Sequence, residues 1–357
     1  YMKIAILGNG GREHAIANQI SKSSKLNKLY CLPGNAGTKL IAENVNLDIN
    51  DFDKLGKFVE HHKIDLVIVG PEKPLVDGVV DFLTKNGVKV FGPNKISSQL
   101  EGSKIFTKKI CDKYEIPTAQ FGVFGSIKDA HKYLEKANMP IVVKADGLAA
   151  GKGVYICEDL ESAKKAVNEI FNGKFGKANQ VLIEEFLQGE EMSYFVISDG
   201  KTFKKFNTAQ DHKRVGEGDK GKNTGGMGAY SPSGLINKEL DLKIIENIIK
   251  PTFKAINDMG ETYKGFLYVG LMIRDNNPYL VEYNVRMGDP ECQTILPLLD
   301  TDLLELMLSC CEENLENQIV EWKDKKSICI VLCSNGYPDK YEKKVEIPNI
   351  EKIPNNN

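Results

Sequence analysis

Short apolar runs alternate with helical patterns through the first hundred residues, and this alternation restricts the fold more than any other feature of the chain. The apolar runs are KIAILG, KLYCLPG, IDLVIVGP and VKVFGP. Helices predicted from Arg12, near residues 51–61 and near residues 76–86 separate them. Strands followed by helices at this spacing are typical of a parallel, doubly wound sheet. We therefore predict an N-terminal α/β domain over residues 2–103.

Three of the predicted strands end in turns rich in glycine or proline, with the sequences GNGG, LPGNAG and VGPE. In open parallel sheets, ligands bind at the carboxyl ends of the strands. We therefore expect the three turns to border one cleft. The alternative is that each turn is only a tight connection between a strand and a helix.

The first turn, GNGGREHA, joins a strand to the start of a helix, where free backbone N–H groups and the helix dipole favour an anion. It differs from a dinucleotide-binding loop, because Glu13 stands where that loop needs glycine or alanine and no acid ends the next strand. Arg12 lies inside the turn, where its guanidinium can reach a small phosphomonoester. The turn therefore indicates a phosphate site that is not a dinucleotide site.

From Lys104 onward the pattern changes to α+β and becomes mostly antiparallel. We expect PIVVKAD to pair with GVYICED, and QVLIEEFL to pair with EMSYFVIS. A further hairpin, FLYVGLMIRDNNPYLVEYNVR, is predicted to turn at residues 276–278. We therefore predict a second domain over residues 104–325, with a mobile lid over about 118–192.

The chain has 357 residues, which is enough for two or three domains, and we expect residues 326–357 to begin an incomplete C-terminal domain. Hydrophobic residues at 41% and charged residues at 27% are ordinary for a soluble globular protein. A net charge of −2 gives no basic footprint for nucleic acid, and the apolar runs are too short to span a membrane. Eight cysteines without a CxxC pair predict reduced, mostly buried thiols in a cytoplasmic protein. The oligomeric state stays open, with a monomer favoured.

The stretch KADGLAAGKGV, residues 144–154, is rich in glycine but is not a P-loop. A P-loop has four residues between its first glycine and the Gly-Lys pair and then Ser or Thr, whereas here only three residues separate Gly147 from Gly151, and Gly153 follows Lys152. Strands are predicted on both sides. We interpret the stretch as a hairpin flap that folds over phosphates, an exposed flexible turn being the alternative.

About 30 residues later, a predicted strand runs into a loop at LIEEFLQGEE. Exposed main chain after Glu184 and Glu185 suits the polar edge of an adenine, and Phe186 and Leu187 can pack against its ring. Glu191 can accept the ribose hydroxyls. Acidic strand ends are also common on surfaces that bind nothing, so this pattern alone does not decide.

The segment YLVEYNVRMGDPE carries the strongest local pattern. Residues two apart on a strand face the same way, so Glu282 and Asn284 present two oxygen ligands side by side, with Leu280 on the same face. Mg²⁺ takes oxygen ligands and usually binds one or two carboxylates together with nucleotide phosphates. Arg286 can meet a phosphoryl group two residues further on. The alternative is a half-buried strand with an ordinary polar face.

The polar segment AQDHKRVGEGDKGKNTGGMGAYSP is predicted to be a long loop without secondary structure. It places the acid Asp211 close to His212, Lys213 and Arg214. Long loops in compact domains are commonly functional, although a solvated charge run is the alternative.

A glycine-rich flap, an EEFL hinge and an acid-x-Asn strand in this order resemble the ATP-grasp ligases. More narrowly, the chain resembles the phosphoribosylamine–glycine ligase family from residue 2 to about 348, through the motifs GNGGREHA, GPEKPLVDG, KADGLAAGKGV, AQDHKR, GGMGAYSP and VEYNVRMGDPE. The resemblance implies ATP and Mg²⁺ as cofactors, with Mn²⁺ as the other metal. It also implies that ATP phosphorylates the glycine carboxylate, and that the amine of phosphoribosylamine attacks the glycyl phosphate to give glycinamide ribonucleotide.

The resemblance assigns a role to individual residues of these motifs. Catalysis is assigned to Asp211, Lys213, Arg286 and Asp289. ATP binding is assigned to Lys104, Lys144, Gly151, Lys152, Gly153, Glu184, Glu185, Phe186, Leu187 and Glu191. Substrate binding is assigned to Gly10, Gly11, Arg12, Glu13, Pro71, Glu72, Gly225, Gly226 and Met227. Metal binding is assigned to Glu282 and Asn284.

Three other functions stay open at this point. The motifs AQDHKR and GGMGAY argue against an ATP-grasp ligase of purine metabolism with a different acceptor. A nicotinamide-dependent oxidoreductase is opposed by the acid at position 13 and by the missing ribose acid. A nucleotide sensor without activity is a third possibility, although no motif has lost its reactive residue.

Overall fold

The computed structural model describes residues 1–352, and its N-terminal part contains the predicted parallel sheet. The strands are β1 (Met2–Gly8), β2 (Leu26–Pro33), β3 (Glu43–Asn44), β4 (Leu66–Val69) and β5 (Lys89–Phe91). They are all parallel and lie in the order β3-β2-β1-β4-β5. The connecting helices are α1 (Gly11–Ile20), α2 (Phe52–His62), α3 (Glu72–Asp77) and α4 (Val79–Lys85).

Strand β4 and most of β1 are continuously apolar because both faces of the sheet are covered there, whereas the short edge strand β3 is polar. Along β1, Leu7 packs in one core with Leu55 of α2, whereas Ile6 packs in another core with Ile16 of α1. The chain moves outward from β1 to β2 and β3, and then returns to the other side of β1 with β4. The turn after β1 therefore lies where the strand order reverses, which is where open α/β sheets bind ligands.

Helices α5 (Gln99–Gly102) and α6 (Lys104–Lys113) lead into a second sheet with its own core. Its elements are β6 (Phe121–Phe124), α7 (Ile127–Leu134), β7 (Ile141–Ala145), β8 (Val154–Cys157), α8 (Leu160–Phe171) and β9 (Val181–Glu185). The antiparallel strand order is β6-β9-β7-β8. Val143 and Ile183 of the sheet pack with Val167 of α8. The predicted pairing of β7 with β8 is confirmed.

The remaining described residues form two more antiparallel sheets. The elements are β10 (Glu190–Asp199), β11 (Phe203–Lys205), β12 (Gln210–Gly216), β13 (Lys220–Ser231), α9 (Lys238–Ile244), α10 (Lys250–Asp258), β14 (Lys264–Arg274), β15 (Asn277–Asn284), α11 (Glu291–Ile295), α12 (Leu303–Cys311) and β16 (Ser327–Ile330). The central sheet has the order β11-β10-β14-β15, and the smaller sheet has the order β12-β13-β16. A π-helical turn at Ile245–Ile249 joins α9 to α10.

The predicted pairing of QVLIEEFL with EMSYFVIS is wrong. The first segment contains β9, which pairs with β6 and β7, whereas the second contains β10, which pairs with β11 and β14. Residues 192–199 of β10 are all buried, so this strand needs a neighbour along each edge. Strand β14 supplies a partner over the whole length of β10, and the short segment between β9 and β10 carries the chain from one sheet to the next.

The hairpin of β14 and β15 is confirmed, but its turn lies earlier than predicted. Asp275 and Asn276 form the turn, with φ angles of 52° and 58°. Pro278 is already in the strand, opposite Ile273. Two-residue hairpin turns need left-handed residues, and Asp and Asn tolerate that conformation better than most.

The polar segment that follows residue 209 is a hairpin, so the prediction of a loop without secondary structure is wrong. Strands β12 and β13 pair with two register shifts, and β13 also pairs with β16. Much of β12 and the first part of β13 is exposed, so the alternation of apolar and polar residues that marks a half-buried strand is absent.

All eight cysteines carry free thiols, and five of them are buried, as the sequence predicts. Cys310 and Cys311 are adjacent without being bonded. Among residues 1–352, no helix has the length and apolar character that crossing a membrane requires.

Candidate active site

Glu282 and Asn284 lie at the end of β15 with their side chains half-buried, whereas Tyr283 between them packs into a core. Leu280 does not share their face, which corrects the prediction. Glu282 pairs with Gly270 and Leu280 pairs with the next residue, so a bulge forms between the two and turns Leu280 into the core that holds Tyr283.

The Glu282 carboxylate is surrounded by positive charges from several elements. Burial raises its pKa, but these charges outweigh burial and hold the pKa below its ordinary value. In descending order of effect, they belong to Lys213, Lys144, Arg286 and Lys104. Three of these cations also pair with other carboxylates: Lys144 with Glu184, Lys213 with Asp211, and Arg286 with Glu72 and Glu101. A group of cations of this kind suits a bound polyphosphate.

The donor set at Glu282 and Asn284 fits a divalent cation that brings ligands of its own. Within the part of the chain that the structure describes, no three His, Cys, Asp or Glu side chains cluster as a metal site. A carboxylate and an amide supply hard oxygen ligands but only one negative charge. The two residues therefore suit a metal that is also bound to phosphate oxygens.

Lys104 ties the glycine-rich flap to the start of α6. Its Nζ donates to the carbonyls of Ala145 and Gly147, at 2.9 Å each. Burial lowers the pKa of Lys104, and the negative charge of Glu282 opposes this shift. Asp146 strengthens the connection by accepting a hydrogen bond of 3.0 Å from Oγ of Ser103.

The flap between β7 and β8 is exposed and rich in left-handed backbone. Gly147 and Gly151 have φ angles of 84° and 73°, and the space beside Gly151 is open. Lys152 is exposed, and its backbone N–H donates to the carbonyl of Ala149 at 2.9 Å. Gly153 packs closely against Ala149. This geometry places the flap lysine beside open space where a ligand can bind.

Lys144, near the end of β7, forms an ion pair with the buried carboxylate of Glu184. The other oxygen of this carboxylate, Oε2, lies 2.6 Å from Nζ of Lys108. Burial raises the pKa of Glu184, but the two lysines outweigh burial, so its pKa lies below the ordinary value. The side chain of Glu184 is therefore an ionised group inside the lid, whereas Glu185 next to it is exposed.

The segment after β9 presents side chains and main chain at the surface. Glu185, Phe186 and Glu191 are exposed, and Leu187 is half-buried. The backbone N–H of Glu185 donates to the carbonyl of Gln120 at 2.9 Å, so the strand end is fixed. Free main chain beside exposed apolar side chains is suited to an aromatic base.

The turn after β1 is held from within by Glu13. Its carboxylate accepts hydrogen bonds from the backbone N–H of Gly10, at 2.9 Å, and from Nε of Arg12, at 3.0 Å. Glu13 is only 1% exposed, and any Cβ on Gly8 or Gly70 would collide with it. Glu13 therefore caps α1 from inside the turn, and its assignment to substrate binding stays a prediction.

Arg12 links the same turn to the segment that follows β15. Its Nη1 donates to the carbonyl of Met287 at 3.3 Å, and its backbone N–H donates to Asp289 at 3.2 Å. Gln293 holds the second oxygen of Asp289 at 2.6 Å and packs against Gly11. The phosphate turn and the GDPE segment are therefore in direct contact.

Arg286 lies between two carboxylates. Its Nε donates to Glu72 at 3.2 Å, and its Nη2 donates to Glu101 at 2.7 Å. Burial raises the pKa of Glu72, but Arg286 outweighs it and the pKa stays low, whereas burial prevails at Glu101 and raises its pKa. Pro71 caps α3 directly before Glu72.

The glycines of β13 allow that strand to cross the GDPE segment, residues 288–291. A Cβ on Gly226, whose φ is 131°, would lie 2.4 Å from Cδ of Pro290. The backbone N–H of Gly225 donates to the Tyr337 hydroxyl at 3.1 Å, and the carbonyl of Met227 accepts from the N–H of Val331 at 2.9 Å. The glycine-rich strand is therefore packed on Asp289 and Pro290.

Asp211 and Lys213 of β12 lie close to a buried polar cluster that is formed by Ser193, Tyr268 and Glu291. Nζ of Lys213 lies 3.7 Å from Oδ2 of Asp211, whose side chain is buried. Tyr268 donates to Glu291 at 3.4 Å, and its hydroxyl lies 2.7 Å from Oγ of Ser193. The pKa of Glu291 lies above its ordinary value. Burial is the larger cause, and the negative charge of Asp211 is the next.

The sequence interpretation missed Glu101, Lys108 and Gln293. Lys108 lies four residues after Lys104 on α6, so helical spacing is a signal that identifies it. Glu101 and Gln293 carry no such signal, because their partners are distant in the chain.

Residues 2–101 match the family model for the phosphoribosylglycinamide synthetase N domain, and residues 102–292 match the model for the phosphoribosylglycinamide synthetase ATP-grasp (A) domain. The chain is 46% identical over 352 residues to the phosphoribosylamine–glycine ligase of Mesorhizobium japonicum, covering 98% of this chain and 83% of that protein. It is 48% identical over 356 residues to the ligase of Haemophilus influenzae, with the same coverage of 98% and 83%.

Among solved structures, the chain resembles phosphoribosylamine–glycine ligase from Thermotoga maritima with a TM-score of 0.84 and 34% identity. The match covers 95% of this chain and 82% of that one. Biotin carboxylase from Campylobacter jejuni, at 16% identity and a TM-score of 0.70, shares the fold over 92% of this chain and 75% of the other.

Proposed function

We propose roles for the cleft residues of this chain, which belongs to the phosphoribosylglycinamide synthetase family. The chain is an ATP-dependent ligase that joins glycine to phosphoribosylamine and forms glycinamide ribonucleotide in purine biosynthesis. The main observation in support of these roles is the group of four cations around Glu282. Neither another acceptor nor a nicotinamide reaction is favoured.

The reaction proceeds in two steps. A glycine carboxylate oxygen attacks the terminal phosphorus of ATP, so that ADP leaves and glycyl phosphate forms. The neutral amine of phosphoribosylamine then attacks the carbonyl carbon, loses a proton and expels phosphate. Phosphoryl transfer of this kind depends on positioning and charge neutralisation more than on covalent help.

The nucleotide is held between the lid and the central sheet. Lys104 and Lys144 contact its phosphates, and Gly151, Lys152 and Gly153 of the flap cover them. The adenine lies against the segment after β9, where the main chain beside Glu184 and Glu185 reads its polar edge. Phe186 and Leu187 pack on the ring, and Glu191 accepts from the ribose.

Glu282 and Asn284 hold a divalent metal, for which Mg²⁺ is the proposed ion and Mn²⁺ the alternative. When bound, the metal neutralises phosphate charge and orients the phosphoryl group. Arg286, fixed by Glu72 and Glu101, maintains the positive potential behind it. The acyl phosphate is protected from water when the flap closes.

The acceptor binds at the turn after β1. Backbone N–H groups of Gly10 and Gly11 and the Arg12 guanidinium receive its phosphate, and the Pro71 turn borders its ribose. Gly225, Gly226 and Met227 line the opposite side. Asp211, Lys213 and Asp289 stand between this site and Glu282, where they orient glycine and the amine.

We also propose domain boundaries at residues 103 and 325 and a cytoplasmic location. The oligomeric state stays open, with a monomer favoured. We propose that residues 326–357 belong to a further domain. Residues 353–357 lie outside the described part of the chain.

Phosphate release from ATP tests the proposed reaction. We expect release only when glycine and phosphoribosylamine are both present, and loss of it when either is omitted. The same assay with formate or bicarbonate in place of glycine is the control for another ATP-grasp substrate. Equal release without phosphoribosylamine, or with either substitute, would contradict the proposal.

A further inference from the structure

Lys108 is a buried cation outside the set of residues assigned to ATP. Its Nζ lies 2.6 Å from Oε2 of Glu184, and both side chains are 4% exposed. The same Nζ donates to Oγ1 of Thr118 at 2.7 Å and lies 5.5 Å from the centre of the Phe121 ring. Thr118 in turn donates to the carbonyl of Leu280 at 2.7 Å. These contacts fix Lys108 at the junction of α6, the lid and β15.

Lys144 has fewer partners than Lys108. Among the described residues its ammonium forms an ion pair only with Glu184; its side chain is 10% exposed and stands at the end of β7, next to the exposed flap. Both lysines therefore share one carboxylate, but only Lys144 is placed where it can turn toward the nucleotide phosphates.

The loss of one partner matters because Glu184 is buried. An ionised carboxylate without a counter-ion in such a place costs several kcal/mol, so it takes up a proton instead. If Glu184 had Lys144 as its only partner, binding of a phosphate by Lys144 would leave that carboxylate uncompensated.

We propose that Lys108 is a positioning residue that keeps Glu184 ionised when Lys144 moves to the nucleotide. In the free protein, Glu184 is shared by two lysines, and it retains Lys108 after Lys144 has left. Nucleotide binding then needs no proton. This inference rests on the proposed phosphate-binding role of Lys144.

Other charged groups near Glu184 do not replace Lys108. Lys104 of α6 is engaged by the carbonyls of Ala145 and Gly147. Cys111 of α6 also faces the pair, but burial raises its pKa to about 12, so it stays a neutral thiol. Glu282 of β15 acts on Lys144 and Lys104 and adds negative charge.

Proton uptake on nucleotide binding tests the proposal. Calorimetric titration with ATP and Mg²⁺, in the absence of glycine, is performed in two buffers with different heats of ionisation. We expect Lys108→Met to take up close to one proton more per bound nucleotide than the unchanged chain at pH 8. By linkage, the Kd of the variant should weaken by up to about tenfold per pH unit, and its KM for ATP should rise more than kcat falls.

Lys109→Met is the matched control, because Lys109 is the next residue and is exposed. It should bind nucleotide with the proton count of the unchanged chain. Adding Glu184→Gln to Lys108→Met should remove the extra proton. If Lys108→Met does not fold, Lys108→Gln keeps a donor for Thr118 and carries the same test.

Two results are distinguishable. An unchanged chain that does not bind ATP with Mg²⁺, or a Lys144→Met variant that binds it normally, would contradict the proposed function. Normal binding by the unchanged chain, together with the same proton count and the same pH dependence in Lys108→Met, would overturn only the role of Lys108.

Discussion

Nε of Arg286 donates a hydrogen bond of 3.2 Å to the carboxylate of Glu72, which lies 214 residues earlier in the chain. Nη2 of the same guanidinium donates to Glu101 at 2.7 Å. One arginine therefore connects the parallel sheet to the strand that presents Glu282. This contact holds the start of α3 at Glu72 in a fixed position relative to the end of β15, and therefore also the proposed acceptor and nucleotide sites.

Replacing Arg286 with Met should reduce the free energy of unfolding at pH 7.5 by about 3 kcal/mol, since it leaves buried Glu101 without its partner. Burial already raises the folded-state pKa of Glu101, and the substitution removes the charge that opposes this shift. The penalty is therefore present above that pKa, and it is lost as the pH falls and Glu101 becomes protonated. Urea denaturation at pH 7.5 and pH 5.5 measures the difference.

Arg274→Met is the control for this prediction, because Arg274 is exposed and lies over Tyr279. It should change stability little at either pH. Glu101→Gln combined with Arg286→Met should recover part of the loss at pH 7.5. An equal loss at both pH values would show that the ionisation of Glu101 is not its cause.

Arg12→Ala should weaken binding of phosphoribosylamine by roughly 1.5 to 3 kcal/mol, the range for a hydrogen bond to a charged group. The affinity for ATP should not change, because Arg12 contacts Glu13 and Met287 and no residue of the flap. Steady-state KM values for the acceptor and calorimetric Kd values for ATP measure the two effects. Lys22→Ala, an exposed change just after the same helix, is the control. A similar loss for both ligands would place the nucleotide in the first domain.

Gly226→Ala should destabilise the protein by roughly 2 kcal/mol or more, because an added methyl group has no space to relax into. Its Cβ would lie 2.4 Å from Cδ of Pro290 and 3.1 Å from the carbonyl oxygen of Asp289. Gly234→Ala meets nothing within 4 Å and should have little effect. Melting temperatures and turnover compare the two. If both variants melt alike, the close crossing of β13 over Asp289 is not required.

The sequence predicts the central strands of the parallel sheet well because β4 and most of β1 are covered on both faces and are therefore apolar, whereas the polar two-residue strand β3 shows no such pattern. It fails at β12 and β13, where exposed polar strands show no alternation. It also misplaces Leu280, since a bulge reverses the face of a strand without any change in residue type. At the candidate site, the phosphate turn and the pair at Glu282 are local patterns. Glu101 and Lys108 acquire their partners only through the tertiary fold, so no local pattern reveals their contacts.

The flap should be mobile without nucleotide and protected with it. Its backbone is exposed around Gly151, and few contacts hold it beyond the connection at Lys104. Trypsin cleavage after Lys152 should therefore slow several-fold when ATP and Mg²⁺ are added. Cleavage near Lys325, which is also exposed, is the internal control and should keep its rate. Unchanged cleavage at both positions would argue against a phosphate cover.

Glu282→Gln should reduce turnover on the order of a hundredfold or more, because the proposed metal loses the carboxylate that would hold it beside the transferring phosphoryl group. The pKa of Glu282 is held below its ordinary value by the surrounding cations, so the ionised side chain also contributes some stability. That contribution is present above the unfolded pKa and is lost as the pH falls through the folded pKa. We therefore expect a modest decrease in melting temperature at pH 7.5 and a smaller one at pH 4.

Asn284→Asp separates a metal site from a structural polar network. It keeps the oxygen ligand and adds a charge, so turnover should fall less than in Glu282→Gln, and the Mg²⁺ concentration that gives half-maximal turnover should not rise. Glu246→Gln is the control for the loss of a carboxylate alone, because Glu246 is an exposed residue of the π-helical turn. The decisive comparison is between melting temperature and turnover in Glu282→Gln. A large decrease in melting temperature with normal turnover at low temperature would show that Glu282 and Asn284 belong to a structural polar network. The metal site would then have to lie elsewhere.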